Sequence, residues 1–236
     1  MIRVDRLWKA YDGRPVLQGL SLSAEAGSRT ALVGPNGSGK TTLLRCLLGL
    51  VSYDGTITIG GHDPVRDHVA AQRRVAYVPQ RAPALPVPVG ELVAFWATQR
   101  DASQEALFRW TQALGLDVAA VWRNRFPSLS GGMQQKLLAA MALASDCTVM
   151  LLDEPTANLD PPARAVFFDA LAHRQPRPTV VLSSHRLEEL RGLVDRVVVL
   201  DEGRVTFDDA LDRFLDRPDA SAALDSPSTL PFRRSP

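Results

Sequence analysis

Cysteine is scarce in this chain: two residues in 236, Cys46 and Cys147, about a hundred positions apart among apolar neighbours. That excludes a disulfide framework and offers no metal-binding spacing, so both are read as reduced, buried thiols. Long apolar runs are lacking too. The longest, Leu137–Ala144, falls far short of the ~20 residues that a membrane span needs. The N-terminal "MIRVDRLWKAYDG" holds no apolar stretch of signal length. Nor does one sign of charge dominate. With 27 basic residues against 26 acidic the net charge is +1, no basic block stands out, and no nucleic-acid partner is expected. What remains, 45% hydrophobic and 22% charged, is the make-up of an ordinary globular protein with core enough for one domain and a subdomain.

The hydrophobic pattern divides the chain. Alternating segments at 2–8 and 16–24 predict antiparallel strands, and "RTALV" (29–33), "GTITIGG" (55–61) and "RVAYVP" (74–79) predict further ones. Residues 82–88, "APALPVP", place three prolines in seven positions and read as an extended connector. Two helices follow, the second with Leu107, Trp110, Thr111 and Leu114 on one face and Gly115 as its stop. A long alanine-rich helix opens at "SLSGG" (128–132). "TVMLL" (148–152) and "TVVLSS" (179–184) read as parallel strands buried on both faces, with a helix between them. "RVVVLDEGRVTF" (196–207) reads as a hairpin around Glu202-Gly203. The last twenty residues carry four prolines and are expected to be a disordered tail. The expected architecture is an α/β core interrupted by a helical insert.

Between the strand at 29–33 and the helix from 40 lies "GPNGSGKTT" (34–42), with three glycines, a lysine and two threonines in nine positions. It matches G-x-x-x-x-G-K-[ST] in the strand–loop–helix context that the motif requires. Gly34, Gly37 and Gly39 let backbone N–H groups close on a phosphate, across Pro35, Asn36 and Ser38 of the same loop. The following helix turns its positive end to the same place. Lys40 can reach the β- and γ-phosphates, the Thr41 hydroxyl can hold Mg²⁺, and Thr42 extends the first turn. "VMLLDEP" (149–155) then sets two acids at the end of a buried strand, where a cation or water is the natural partner of a carboxylate. Asp153 suits Mg²⁺, and Glu154 can polarise the water that attacks the γ-phosphate.

With "LSGGM" (129–133) added, the chain resembles the ATP-binding cassette (ABC) ATPases over about residues 1–207. The resemblance implies a P-loop NTPase fold with a RecA-like core, an antiparallel β-subdomain and an inserted α-helical subdomain. It places the ATP-binding core at 1–79 and 130–216, the helical subdomain at 80–129, and the tail at 217–236. Gln80 matches the family's Q-loop and is a further Mg²⁺ contact. "NLD" (158–160) matches the D-loop, with Asp160 linking two sites, and His185 matches the switch histidine that binds the γ-phosphate. Tyr11, 29 residues before Lys40, stands where the family stacks an aromatic ring on adenine. Ser130, Gly131 and Gly132 open a helix and offer a hydroxyl and backbone donors to an anion. In the family they meet the nucleotide held by a second subunit, so two chains head to tail make two sites. Met133, Lys136 and Met141 depart from the usual pattern of the signature helix, which bears on the interface and not on hydrolysis.

The resemblance further implies ATP and Mg²⁺ as cofactors and separate membrane permease subunits as partners. These would be contacted through about residues 80–91, with Arg81, Leu85, Val87 and Val89 as the contact surface. The expected location is the cytoplasmic face of the inner or plasma membrane, as a peripheral subunit. "SSHRLEELRGLVDRVVVLDEGRV" is similar to small ATPases paired with exporter-type permeases, whereas "YVPQRAPALPVPV" resembles metal-ion importers. Export is the reading taken, with import and a non-transport ATPase of iron–sulfur assembly as alternatives.

Overall fold

The computed structural model describes residues 1–100, 102–184 and 191–217. The alternating segments near the N-terminus form a three-stranded antiparallel sheet. Its strands are β1 (Ile2–Tyr11), β2 (Arg14–Ala24) and β4 (Asp54–Ile59), in the order β2-β1-β4. The continuous apolar runs form the second sheet, from β3 (Arg29–Val33), β5 (Val75–Val78), β6 (Val149–Asp153), β7 (Thr179–Ser183), β8 (Arg196–Asp201) and β9 (Arg204–Ala210). Its order is β5-β6-β7-β3-β8-β9, parallel except for β9, which closes the edge antiparallel to β8. Every residue of β3, β6 and β7 is buried, because helices or the first sheet cover both faces.

Strand alternation sorts these apolar residues into two layers. Leu151 and Val198 join Leu43, Leu44 and Leu47 of α1 (Lys40–Leu47), which packs between the two sheets. Met150 and Leu152 point the other way, onto Leu137, Ala140 and Leu143 of α5 (Gly131–Ala144) and Phe167 of α6 (Pro161–His173). Each such leucine contributes about 1.5–3 kcal/mol by leaving water. The ends of these helices are satisfied by a buried and a half-buried arginine. Arg29 donates to the carbonyls of Leu171 and Ala172 at 2.8 and 3.0 Å, and Arg174 donates to those of Leu143 and Ser145. Cys46 and Cys147 are free and buried, and burial pushes the Cys46 thiol up to about 11. Among the described residues, no helix is long and apolar enough to cross a membrane.

Between β4 and α5 lie α2 (His68–Gln72), α3 (Val89–Arg100) and α4 (Gln104–Ala113). α4 starts where the Ser103 hydroxyl accepts from Ala106 N, and it buries Leu107 and Thr111. The proline-rich connector runs beside residues 122–126. Val87 O accepts from Phe126 N at 2.8 Å, while Val89 N and Gly90 N donate to Asn124 O and Trp122 O. Val89 therefore corrects the expected contact surface. It opens α3 fully buried, while Arg81 is exposed and Leu85 and Val87 are half-buried. α7 (Leu211–Leu215) follows β9 and buries Phe214.

The β8–β9 turn joins the sheets. Gly203 O accepts from Gln18 N at 3.0 Å, and Gly203 N donates to Ser38 O at 3.2 Å. Its φ is +75°, and a Cβ there would stand 2.2 Å from Val16 O. Gly203→Ala is expected to cost about 2–4 kcal/mol, through strain and backbone overlap together. A urea midpoint equal to that of the unmodified chain would contradict this packing.

Candidate functional site

The glycine loop leaves the C-terminal end of β3, in the middle of the parallel sheet, where open α/β sheets place their ligands. Gly34 makes the exit possible: at φ +145° a Cβ would stand 2.0 Å from Leu200 O of β8. The loop ends at Gly39, a left-handed N-cap with no side-chain cap, so no side chain competes for the first N–H groups of α1. Lys40 is buried, and its ammonium donates to Gly34 O at 2.7 Å and Pro35 O at 3.0 Å. Burial pulls its pKa down, and the charges of Glu154 and then Asp153 push it back up.

A cavity of about 330 Å³ opens over this loop. Asn36, Gly37, Gly39, Lys40, Thr41 and Thr42 line its floor, Tyr11 and Val16 come from the three-stranded sheet, and Gln80 and Glu154 complete it. Pro35 and Ser38 belong to the same loop outside that lining. Tyr11 is partly exposed, with the Lys9 ammonium 4.7 Å from its ring centroid.

Asp153 ends β6 at 2% exposure. Its Oδ1 accepts from Ser183 Oγ at 2.8 Å, and its buried Oδ2 has no partner among the described residues. An orphaned carboxylate oxygen is costly unless a cation or water meets it. Together with the Thr41 hydroxyl and the Gln80 amide it is an all-oxygen donor set, which suits Mg²⁺ completed by phosphate oxygens. Glu154 takes φ +45°, a left-handed conformation that costs a non-glycine residue about 1–3 kcal/mol. Ser183 holds it there, since Glu154 N donates to Ser183 O at 3.2 Å and Ser183 Oγ at 2.9 Å. Gln80 Nε2 donates to Glu154 Oε2 at 2.9 Å.

Ser130, Gly131 and Gly132 do not line this cavity. They open α5, with Ser130 and Gly131 exposed and the Ser130 hydroxyl accepting from Met133 N. The 158–160 loop lies beside them: a Cβ on Gly132 would come within 3.2 Å of Asn158 O. Asp160 caps α6 through Ala163 N at 2.9 Å and accepts from Lys136 Nζ at 2.6 Å. That lysine, then the cap, hold its carboxyl below the ordinary range. His185 lies outside the described residues. The structure thus gathers Tyr11, the loop, Gln80, Asp153 and Glu154 at one place, and Ser130–Gly132 with Asp160 at another. Sequence reading assigned no role in the site to Ser183, Gln135 or the Lys136–Asp160 pair. The available signals were a serine closing a buried strand and a glutamine just before the long apolar run of α5.

A glycine loop between a buried parallel strand and an uncapped helix, facing an acid pair on a nearby strand, defines a P-loop nucleoside triphosphatase. The sequence matches the ABC transporter family over residues 17–157. It is 36% identical over 233 residues to the phosphate import ATP-binding protein PstB 2 of Natronomonas pharaonis, covering 90% of this chain and 81% of that protein. It is also 36% identical over 213 residues to the Nod factor export ATP-binding protein I of Paraburkholderia xenovorans, covering 86% and 68%. In fold it is similar to an ATP-binding subunit of an ABC transporter, with a TM-score of 0.81, 24% identity and 91% of each chain covered. The chain belongs to the ABC transporter family and is one of its ATP-binding, ATP-hydrolysing subunits.

Proposed function

We propose that two copies of this chain, or this chain and a related subunit, close head to tail around two Mg-ATP and drive export through separate membrane subunits. The observation that carries this is the separation of the two site halves. Tyr11, Lys40, Gln80 and Glu154 share one cavity, while the exposed start of α5 lies outside it and has its own donors to offer. A second chain supplies what the cavity lacks.

In this reading Tyr11 stacks on adenine, and the loop's N–H groups with Lys40 hold the phosphates. Thr41, Asp153 and Gln80 would hold Mg²⁺, which neutralises charge on the β- and γ-phosphate oxygens. Glu154 accepts a hydrogen bond from the attacking water and orients it. Gln80 already touches that carboxylate at 2.9 Å, so the two side chains respond together when the nucleotide draws Gln80 to the metal site. His185 is assigned the γ-phosphate, and Asp160, held by Lys136, the contact across the interface. Tyr11→Ala is expected to raise KM for ATP about fivefold with kcat within about twofold, the value of one stacked ring. An unchanged KM would remove Tyr11 from the nucleotide site.

The membrane partner is met just beyond residues 80–91. A groove of about 590 Å³ runs between α2 and α3, with Val69, Phe95, Trp96 and Met141 in its lining beside Arg73 and Arg100. Val69 and Phe95 are 67% and 65% exposed, and α3, which forms one wall of the groove, follows the connector that carries Gln80 in sequence. Its occupant is a short apolar helix of the membrane subunit. Export rests on the similarity of residues 183–205 to exporter-paired ATPases, and the import name of one relative keeps the opposite direction as the competing reading. The test places a photocrosslinker at Phe95 in the Glu154→Gln chain and captures its partner, with ATP, from native membranes. A stoichiometric crosslink to a multi-span membrane protein is expected, and its own sequence then distinguishes an exporter permease from an importer's. Crosslinks to soluble proteins alone would overturn the transporter reading.

A further inference from the structure

Gln135 lies just over one turn into α5 and is wholly buried, among otherwise apolar buried residues of that helix such as Leu137, Ala139 and Ala140. Its Nε2 donates to Pro155 O at 2.9 Å and to Pro79 O at 3.2 Å. Both amide N–H groups are used on those two carbonyls, while Oε1 has no partner among the described residues. The reverse amide orientation would set an oxygen against two carbonyl oxygens, so this one is fixed by chemistry.

The two carbonyls are not arbitrary. Pro79 immediately precedes Gln80, and Pro155 immediately follows Glu154, the pair whose side chains meet at 2.9 Å. The β5–β6 ladder pairs Val78 with Leu152, and prolines at 79 and 155 have no N–H with which to extend it. Where the ladder stops, the Gln135 amide continues the tie across the two strands.

We infer that Gln135 is a positioning residue for hydrolysis: by bridging Pro79 O and Pro155 O it sets the spacing of Gln80 and Glu154 and couples that spacing to α5. Ser130 and Gly131 lie one turn back on the same helix, so a shift at the start of α5 moves the anchors of both residues. This coupling rests on the head-to-tail reading above; the positioning role does not.

The test is Gln135→Met, which keeps length and volume and removes both donors, assayed for ATPase activity with the full chain and saturating Mg²⁺. Expected is a fall in kcat of about tenfold with KM for ATP within about twofold, since a misplaced water-orienting group affects the transition state more than the bound substrate. Gln80→Ala alone also lowers kcat, and the double variant is expected to be no slower than the slower single one, because both act on the same spacing. An unchanged kcat overturns the inference. So does a double variant whose losses multiply, which would mark Gln135 as general packing. Should Gln135→Met not fold, Gln135→Asn keeps a buried amide too short to reach both carbonyls, and wild-type kcat there would equally overturn it. Failure of the Glu154→Gln chain to dimerise with ATP would instead sink the head-to-tail reading and leave the kcat result standing.

Discussion

Glu154→Gln is expected to lower ATP turnover about a thousandfold while nucleotide binding stays intact. The substitution keeps the side chain's length and an oxygen that can still accept from Gln80 Nε2, so the strained turn held by Ser183 has no reason to relax. What is lost is the negative charge that, in the role proposed for Glu154, draws a proton from water at the γ-phosphate. The Lys40 ammonium also loses the stronger of the two carboxylate influences that offset its burial, yet Asp153 remains, and the lysine stays available for phosphate. Phosphate release at saturating ATP, beside binding of a fluorescent ATP analogue, separates these effects. Turnover within about threefold of the unmodified chain would take the water-orienting role away from Glu154.

Lys40→Met carries the second large effect, a loss of about a thousandfold in kcat/KM that includes nucleotide affinity itself. Lys40 is 7% exposed and its ammonium is shared between the carbonyls of Gly34 and Pro35. In the proposed site ATP takes over that ammonium, and without it the phosphates would face the carboxylates of Asp153 and Glu154 uncompensated. Lys40→Arg is not expected to rescue, because a planar fork needs more room than this buried site has. Nucleotide binding measured by calorimetry decides the matter: an affinity within about threefold of the unmodified chain would mean that the loop backbone alone holds the phosphates.

These two residues were legible from spacing, because a glycine loop and an acid at a strand end are local features. The parallel strands were legible for the same reason, as β-branched runs with no polar face to show. The rest is tertiary. α2 has five residues and forms only because its neighbours hold it, Gln72 donating to Leu48 O at 2.7 Å. Val89 ends the stretch expected to present a contact surface, but the proline-rich connector before it pairs with residues 122–126 and turns the valine inward. Gln135 stands just before the apolar run of α5, and nothing local reveals that its amide spans two proline carbonyls more than seventy residues apart in sequence. The left-handed turn at Glu154 is likewise invisible until Ser183, from another strand, is beside it.

The most direct measurement is sedimentation velocity of the Glu154→Gln chain with Mg-ATP, with Mg-ADP and without nucleotide. A composite site predicts monomer without nucleotide and with ADP, dimer with ATP at two nucleotides per dimer, and loss of that dimer when Ser130→Arg is added at the exposed start of α5. A chain that stays monomeric with ATP bound, or a dimer indifferent to Ser130→Arg, would contradict it.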